Sequence, residues 1–392
     1  MRANPTAEPA APRPRPVAGA DAWDYLPLAA QAPSALAWRS GDLAFVALDL
    51  TPPRSPLAPH PWPLRFAGRT FTGAPGEGVW AGWPGAWEAA PRALYLSRRP
   101  GEVVCIGEAR ADRPPPSPSA PPLAPLHFTP ATDRPTWEAA VGRATAAIRA
   151  GEASKIVLAR REVARLPNAA AHVLPLLGQL RARHPGATTF GLNLGGDLGW
   201  FVGATPETLI AQEAGVVHTE ALAGTSAAGP EALDNPKERE EHRWVVEGIA
   251  EALASVTQGL EMVGPQTKRA GHLLHWQTRL RAIPRPGVGL FDLAERIHPS
   301  PAVAGTPQDA ALRFIAQSEP GDRGHYAGFL GWQDGRGDGH VVVGLRSALL
   351  RGDALHVFAG AGLVAASDPA AEWAETAAKL DACKHALAAL AA

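Results

Sequence analysis

Short alternating patterns of apolar and polar residues dominate the N-terminal part of the chain. Alternation over about four to eight residues is typical of strands that bury one face, and Pro and Gly clusters separate the stretches. The strands predicted here are residues 43–50, 93–99 and 102–109. From residue 136 to residue 150 the apolar positions recur every three or four residues, which predicts a helix that ends at Gly151.

Beyond residue 150 the predicted strands come in adjacent pairs. Strands are predicted at residues 155–160, 188–194 and 198–205, a strand followed by a loop at 216–225, and helices at 172–183 and 237–256. This order does not fit the regular βαβ alternation that builds parallel sheets. It predicts an α+β fold with a large, mostly antiparallel sheet system.

Composition divides the chain into four parts. Residues 1–20 are rich in Pro and Ala and are predicted to be a disordered tail. Residues 21–111 are β-rich, and residues 136–392 carry the candidate catalytic groups. The Pro-rich residues 112–135 join these two parts, either as a stiff linker between domains or as a long crossing of one domain's surface.

Charge and cysteine content exclude several kinds of partner. The net charge is -1 and no block of Lys and Arg occurs, which argues against binding to nucleic acid. No apolar run approaches the roughly 18 residues of a membrane helix, and the first residues lack the apolar core of a secretory signal. Two cysteines outside any CxxC pattern fit a reducing compartment, so we expect a cytoplasmic protein. The acidic helices offer no obvious apolar interface to a second subunit, and a monomer is the default expectation.

A lysine opens the strand predicted at 155–160. Lys155 shares one strand face with Val157 and Ala159, so its ammonium group is expected to be partly buried. Burial lowers the pKa of an amine and suits it to act as a general base. A lysine at a sheet edge whose ammonium reaches solvent fits the same pattern, and the segment alone leaves both interpretations open.

A carboxylate follows the strand predicted at 198–205. Glu207 stands directly after Thr205 and Pro206, where the chain must turn, and apolar residues follow it. An apolar environment raises the pKa of a carboxyl group, which fits a general acid. An ordinary loop glutamate fits equally well, and the residues of this bend do not separate the two.

Two predicted helices each carry a pair of glutamates three residues apart. Glu238 and Glu241 share one face of the helix at 237–256, and the last helix repeats the spacing with Glu372 and Glu375. Four carboxylates in one place repel one another and imply a cation, and an all-oxygen set suits Mg2+. Acidic helix faces are usually solvated, so either pair alone carries little weight.

Several other stretches favour an anionic ligand. Arg346 lies on a predicted strand, and a second strand runs into residues 360–362, Gly-Ala-Gly, whose backbone has little side-chain cover. A guanidinium group and exposed amides fit a bound carboxylate. Gly224 and Thr225 leave the backbone similarly open to a ligand. His275 follows His272 by three residues, but no more His or Cys stands nearby at zinc-ligand spacing, which favours a substrate hydrogen bond from His275.

The ordered set of short motifs is more specific than its members. It consists of SKIVLAR, GATPETL, EALAGT, KERxEH, HxxT, HPSPAVAGTP, RxxYAGxxG, GLRSAL and FAGAGLVAASDPxxEWxET. The set resembles the chorismate-utilising enzymes over residues 136–392, and within them the isochorismate synthases of menaquinone and siderophore pathways. The resemblance implies one α+β domain over residues 21–392, with two large sheets packed in the core and helices outside. Residues 112–135 would then be a connection inside that domain.

The same resemblance implies a reaction and its residues. In the family reaction, water adds at C2 of chorismate, the double bonds shift and the C4 hydroxyl leaves. Lys155 matches the base that activates water, and Glu207 matches the acid that protonates the departing hydroxyl. The residues that match the Mg2+ site are Glu241 and Glu375 as direct ligands and Glu238 and Glu372 around them. Those that match the chorismate contacts are Tyr326 and Arg346 at the enolpyruvyl carboxylate, Gly362 through its amide, and Gly224, Thr225, His275 and Lys379 along the pocket.

Few positions decide the activity within the family. The ammonia-using relatives, anthranilate and aminodeoxychorismate synthases, lack a lysine where Lys155 stands or carry one where Ala223 stands, so this chain is expected to use water. Salicylate synthases share Lys155 and go on to eliminate pyruvate, whereas Ala302 and Phe358 look more like the isochorismate type. Isochorismate synthase is therefore the expected activity. Salicylate synthase, another chorismate enzyme and a non-catalytic chorismate-binding protein are the alternatives, and the pathway served stays open.

Overall fold

The chain folds into antiparallel strands with helices packed outside them. A computed structural model describes residues 14–51, 64–118, 121–226, 229–270 and 273–390, apart from the side chains of Thr225, Ser226, Ala232, Ala270, Leu273 and Ala382. Every strand pair in these ranges is antiparallel, which confirms the α+β prediction. The strands are β1 (Arg15–Pro16), β2 (Ala35–Ser40), β3 (Leu43–Thr51), β4 (Leu64–Arg69), β5 (Ala86–Arg99), β6 (Glu102–Gly107), β7 (Thr129–Pro130), β8 (Lys155–Arg165), β9 (Thr188–Asn193), β10 (Trp200–Thr205), β11 (Thr208–Glu213), β12 (Val216–Ser226), β13 (Thr257–Ala270), β14 (Leu273–Pro284), β15 (Gly305–Thr306), β16 (Phe329–Asp334), β17 (Gly339–Val343), β18 (Ser347–Arg351) and β19 (Ala354–Leu363).

The helices lie mainly in the second half of the chain. They are α1 (Leu26–Gln31), α2 (Arg134–Arg149), α3 (Val173–Arg183), α4 (Pro230–Leu233), α5 (Pro236–Ala254), α6 (Leu290–Ile297), α7 (Gln308–Ser318) and α8 (Pro369–Ala388). Short 3-10 helices cover Ala22–Tyr25, Gly78–Trp80, Ala169–His172 and Gly196–Leu198. In the described ranges, none of these helices combines the length and apolar character needed to cross a membrane.

The strands form two layers joined by β5. The first layer runs β1-β6-β5-β3-β2-β9-β10-β18-β19-β8, with β7 and β15 both paired to β8. The second runs β5-β4-β16-β17-β11-β12-β14-β13. Since β2 pairs with β9 and β4 pairs with β16, the N-terminal β-rich part and the later part share both layers.

The core follows from alternation along the strands. On β10, Phe201 faces the space between the two layers, where its ring lies 5.4 Å from that of Trp80. The neighbouring residues Trp200 and Val202 point to the opposite face, which α1, α3 and α8 cover. Burial of such a side chain stabilises the fold by about 1.5–3 kcal/mol. A shift of β10 by one residue would turn each of its side chains to the other face, so this burial fixes which residues of β10 face each core.

Two helices begin at the end of the molecule where the candidate residues gather. The side chain of Asn235 accepts a hydrogen bond from the amide of Glu238 (3.1 Å) at the start of α5. Asp368 accepts one from the amide of Ala371 (2.9 Å) at the start of α8. These caps satisfy amides that the first turn leaves without partners, and the helix N-terminus favours nearby carboxylates.

The N-terminal tail prediction is wrong for residues 14–20. Arg15 and Pro16 pair with Cys105 and Val104, because the exposed edge of β6 offers backbone partners to any extended segment. Residues 1–13 lie outside the described part of the chain. In the connection at 112–135, residues 129 and 130 form β7 against β8, so its final part runs along the first layer.

Candidate active site

One pocket brings most of the predicted site residues together. The predicted residues among its walls are Glu207, Glu241, His275, Tyr326, Arg346, Gly362 and Lys379. Small and apolar side chains complete it, among them Val157, Leu222, Ala223, Ala302 and Phe358. The walls come from both layers, so the pocket opens between them rather than on an exposed loop.

Lys155 opens β8 and is completely buried. Its side chain has 0% exposure, and its Nζ lies 3.0 Å from Oε1 of Glu241. The ammonium therefore does not reach solvent at a sheet edge. Gly362 makes this pairing possible, because a Cβ at that position would overlap Oε1 of Glu241 and lie 2.9 Å from Cε of Lys155.

Glu207 occupies the bend between β10 and β11. Its amide donates to Oγ1 of Thr205 (3.2 Å), and its carbonyl accepts from the amide of Val343 (3.1 Å), so the backbone of the bend is fixed. Burial, followed by repulsion from Glu220, raises the pKa of Glu207 to about 7, against the opposing pull of Lys155 and other lysines. The carboxyl group thus holds a proton near neutral pH, as a general acid must.

Arg346 and Tyr326 stand at turns rather than on strands. The prediction that a strand carries Arg346 is wrong: the residue precedes β18 with φ of 48°, a left-handed conformation that its surroundings must hold. Burial lowers the pKa of its guanidinium, which still stays charged. Tyr326 stacks on Phe358 with ring centroids 5.3 Å apart. Burial raises the pKa of Tyr326, so its hydroxyl keeps its proton.

A bulge in β12 forms another wall of the site. The register of β12 against β14 shifts between Ala223 and Thr225, which leaves Gly224 as the extra residue with φ of 73°. Nδ1–H of His275 donates to the carbonyl of Gly224 (3.0 Å), which fixes the tautomer. Burial, with Lys379 and Arg346 nearby, lowers the pKa of His275 to about 3. The imidazole is therefore neutral. Thr225 lies on β12, and its side chain is outside the described structure.

The four predicted metal ligands form a cluster between α5 and α8, which we call the glutamate cluster (Glu238, Glu241, Glu372 and Glu375). Each member is paired with a lysine. Besides the contact of Glu241 with Lys155, Nζ of Lys379 lies 2.6 Å from Glu375 and 3.0 Å from the carbonyl of Gly360. Nζ of Lys237 lies 2.9 Å from Glu372 and 3.2 Å from Glu238. Four carboxylates therefore meet three ammonium groups.

The pairing leaves unequal pKa values on the two acids of α8. Burial and repulsion from Glu375 raise the pKa of Glu372 to about 7, although Lys237 opposes the shift. Burial acts in the same direction on Glu375, but Lys379 outweighs it and holds the pKa of Glu375 below its usual range. The negative charge of Glu372 is thus incompletely compensated, although three lysines contact the glutamate cluster.

The carboxylate oxygens of the glutamate cluster are of the kind that Mg2+ prefers, but they are not arranged around one common ion position. Within the described ranges, no group of three or more His, Cys, Asp and Glu is set as ligands to one metal ion. Ammonium groups stand beside the carboxylates instead. The chemistry of the donor set fits a divalent cation, whereas the positions of the side chains fit the lysines.

Sequence reasoning missed three charged residues at this site. Lys237 contacts two carboxylates of the glutamate cluster, and Glu220 raises the pKa of Glu207. Arg323 lines the pocket and donates to the carbonyl of Val157 (2.7 Å), which holds β8 beside it. Lys237 directly precedes Glu238 in the KER motif, and that adjacency was the available signal. The other two contacts depend on tertiary packing.

Known proteins are similar to this chain over most of the part that carries the pocket. The family model described as chorismate binding enzyme matches residues 108–388. The salicylate biosynthesis isochorismate synthase of Pseudomonas aeruginosa is 41% identical over 271 residues, which are 66% of this chain and 56% of that protein. The isochorismate synthase MenF of Bacillus subtilis is 34% identical over 259 residues, 63% of this chain and 54% of that protein. The chain thus matches a little over half the length of these two relatives.

A solved structure extends the likeness to most of the fold. The crystal structure of a putative 2,3-dihydroxybenzoate-specific isochorismate synthase, DhbC, from Bacillus anthracis has a TM-score of 0.74 and 26% sequence identity to this chain. The likeness covers 91% of this chain and 96% of that one, so it includes the N-terminal β-rich part. The family model and the likeness in fold agree, and the chain belongs to the chorismate binding enzyme family.

Proposed function

We propose that this chain is a Mg2+-dependent isochorismate synthase, which converts chorismate to isochorismate. The observation that carries the proposal is a buried glutamic acid in the pocket wall and a fully buried lysine directly behind it, whose Nζ contacts the wall residue Glu241 at 3.0 Å. Lys155 has no exposed surface, and Glu207 has a pKa raised to about 7. Replacement of one hydroxyl by another needs a group that accepts a proton and a group that donates one, and these two residues supply them.

The proton transfers balance within one turnover. With its amine unprotonated, Lys155 takes a proton from the water whose oxygen bonds to C2, both ring double bonds shift, and Glu207 donates its proton as the C4 hydroxyl leaves as water. Before the next turnover Lys155 gives up the proton it gained and Glu207 regains one, by exchange with solvent. One water is consumed and one is released, so the net reaction is an isomerisation. The buried environment raises the pKa of Glu207 enough for it to enter the reaction protonated.

Charge and hydrogen bonding favour a dianionic substrate. Chorismate carries two carboxylates, and the guanidinium of Arg346 with the hydroxyl of Tyr326 suits one of them. The neutral His275 adds a polar contact without a further charge. The second carboxylate would meet the glutamate cluster and be repelled by it. Bound there through Glu241 and Glu375, with Glu238 and Glu372 behind, Mg2+ would neutralise that carboxylate and fix the ring.

The pocket wall supports water as the nucleophile. Ala223, the position that carries a lysine in some ammonia-using relatives, lines the pocket, and so do the small residues Val157 and Ala302. A second function, salicylate synthase, would share Lys155 and add elimination of pyruvate. The similar P. aeruginosa protein is named for salicylate biosynthesis, and that name describes only that protein.

The products of purified protein separate these functions. We expect chorismate with Mg2+ to give isochorismate, identified by chromatography, and chelation with EDTA to stop the conversion. Salicylate together with pyruvate would establish the second function instead. Chorismate binding without any product, measured by calorimetry on the same preparation, would show a binding protein.

A further inference from the structure

Lys237 holds a position that the proposed reaction does not require. It lies in the first turn of α5, and its Nζ contacts Glu372 at 2.9 Å on α8 and Glu238 at 3.2 Å on its own helix. The two carboxylates are almost completely buried, with side chains 1% and 7% exposed. Lys237 therefore bridges α5 and α8 through ion pairs to one glutamate of each helix.

The three lysines around the glutamate cluster differ in how firmly they are held. Lys155 is fully buried on a strand, and Lys379 is anchored to the carbonyl of Gly360 as well as to Glu375. The side chain of Lys237 is 22% exposed. In the described part of the chain, its close contacts are the two carboxylates. A flexible four-carbon stem and a route to solvent make it the lysine that can leave.

A divalent cation and the ammonium of Lys237 cannot share these carboxylates without cost. The carboxylates near Lys237 that attract its charge are the four members of the glutamate cluster. A metal ion bound among them would place like charges a few ångströms apart in a buried site, where repulsion is poorly screened. Metal binding must therefore be accompanied by withdrawal of Lys237 from Glu372 and Glu238.

We propose that Lys237 is a built-in counter-cation that occupies the glutamate cluster in the metal-free protein and is displaced when Mg2+ binds. The inference rests on the Mg2+ dependence proposed above. It assigns Lys237 two effects: the residue stabilises the metal-free fold by compensating buried carboxylates, and it weakens metal binding by competing for them. Both effects follow from the competition between Lys237 and the metal ion for the same carboxylates. Because the ion binds only after Lys237 leaves, its binding free energy must offset the loss of the ion pairs that Lys237 makes.

A metal titration tests the competition without any turnover. Mn2+ serves as the probe, because the EPR signal of the free aqueous ion disappears on binding, and Mg2+ added afterwards measures its own affinity by displacement. We expect Lys237→Gln to bind both ions about ten- to a hundredfold more tightly than the wild type, the range of typical coupling between two ligands. Lys237→Arg keeps the positive charge and should bind close to the wild-type level.

Lys384 on α8 provides a matched control. Its side chain is 21% exposed and lies 2.5 Å from Glu162, so it is a lysine of similar exposure in an ion pair outside the glutamate cluster. Lys384→Gln should leave metal affinity unchanged. In thermal unfolding, metal-free Lys237→Gln should melt below the wild type, and saturating Mg2+ should raise its Tm by more than it raises the wild-type Tm. Lys384→Gln should show the wild-type increase.

The outcomes distinguish failure of the inference from failure of the proposed metal site. If the wild type binds Mn2+ and Glu375→Gln abolishes that binding, the metal site stands. Lys237→Gln binding no tighter than the wild type would then overturn the role of Lys237 alone. If neither the wild type nor Lys237→Gln binds Mn2+, the metal site and the inference both fail. If Lys237→Gln binds Mn2+ and the wild type does not, Lys237 competes strongly enough to exclude the ion at the concentrations used, which supports the inference.

Discussion

The strand-borne and helix-borne ends of the pocket hold their charges in different ways. At the strand-borne end, Lys155 begins β8 and Glu207 lies in the bend after β10, both fixed by the two layers. Glu207 forms no ion pair among the described side chains, and its burial raises its pKa to about 7. At the helix-borne end, α5 and α8 carry carboxylates that are each paired with a lysine.

The strand-borne end therefore holds groups that can transfer protons, and the helix-borne end holds groups that can exchange one bound cation for another. A buried acid with a raised pKa gives up its proton readily near neutral pH, and a rigid sheet keeps it in place. The carboxylates of the glutamate cluster each lie beside a lysine ammonium and can exchange that cation for a metal ion. The strand-borne end therefore suits bond making, and the helix-borne end suits binding of a cation and an anionic substrate.

The largest effect is expected at Lys155. Lys155→Ala removes the proposed base and should lower kcat by about 10⁴-fold, the upper end of what general base catalysis contributes. The same change leaves Glu241 without its partner at 3.0 Å. If the two ends of the pocket work separately, Mn2+ binding should persist in this variant. The measurements are isochorismate formation and Mn2+ titration on one preparation whose fold is checked by circular dichroism.

Lys384→Ala is the control for this change. Lys384 also forms an ion pair, at 2.5 Å from Glu162, but it does not line the pocket. Its replacement should lower kcat far less. A Lys155→Ala protein with the wild-type rate would remove the residue from the mechanism, and loss of Mn2+ binding together with the rate would mean that the two ends cannot be separated.

Glu207 should give the next largest effect, and one that depends on pH. The acid must be protonated, and its pKa is about 7, so kcat/KM should fall as the pH rises above about 7. Glu207→Gln cannot donate a proton, and we expect a rate about 10²- to 10³-fold lower without that descending limb. A profile of kcat/KM against pH for both proteins measures the difference.

Stability gives a second measure of the same group. The folded state keeps the proton of Glu207 up to a pKa of about 7, whereas the ordinary value is 4.5. Between these values the folded state binds more protons than the unfolded state, so the contribution of Glu207 to stability decreases as the pH rises. Glu207→Gln should remove that decrease, and Glu213→Gln, at the exposed end of β11, should retain it. If kcat/KM of Glu207→Gln still falls as the pH rises above about 7, another residue is the acid.

The local patterns in the sequence predicted the strand-borne end well. Alternation on one short strand put Lys155 on the same face as Val157 and Ala159, because a period of two fixes the face of every residue on the strand. It left open whether the ammonium is buried or reaches solvent, and the structure shows it buried. The turn chemistry around Pro206 located the bend that carries Glu207. Arg346 was misplaced because Leu345, Arg346 and Ser347 give no Gly or Asn signal, and tertiary contacts hold the left-handed backbone there.

The helix-borne end depends on contacts that local patterns do not contain. Helical spacing put Glu238 beside Glu241 on one face, as it put Glu372 beside Glu375. It could not show that Lys237 on α5 contacts Glu372 on α8, since that contact exists only after both helices pack. The edge strand β13 was also missed, because its exposed and polar residues show little periodicity.

The smallest effect is expected at Gly362, where the two ends of the pocket meet. A Cβ there would overlap Oε1 of Glu241 and lie 2.9 Å from Cε of Lys155, so Gly362→Ala must push the pair apart. We expect kcat/KM to fall about tenfold, and overpacking to cost about 1–3 kcal/mol of stability. Gly142→Ala in α2 is the control, because nothing lies within 4 Å of the added atom. That variant should keep full activity, and its stability should rise by about 0.5–1 kcal/mol. Full activity in Gly362→Ala would show that the contact between Lys155 and Glu241 is not needed for the reaction.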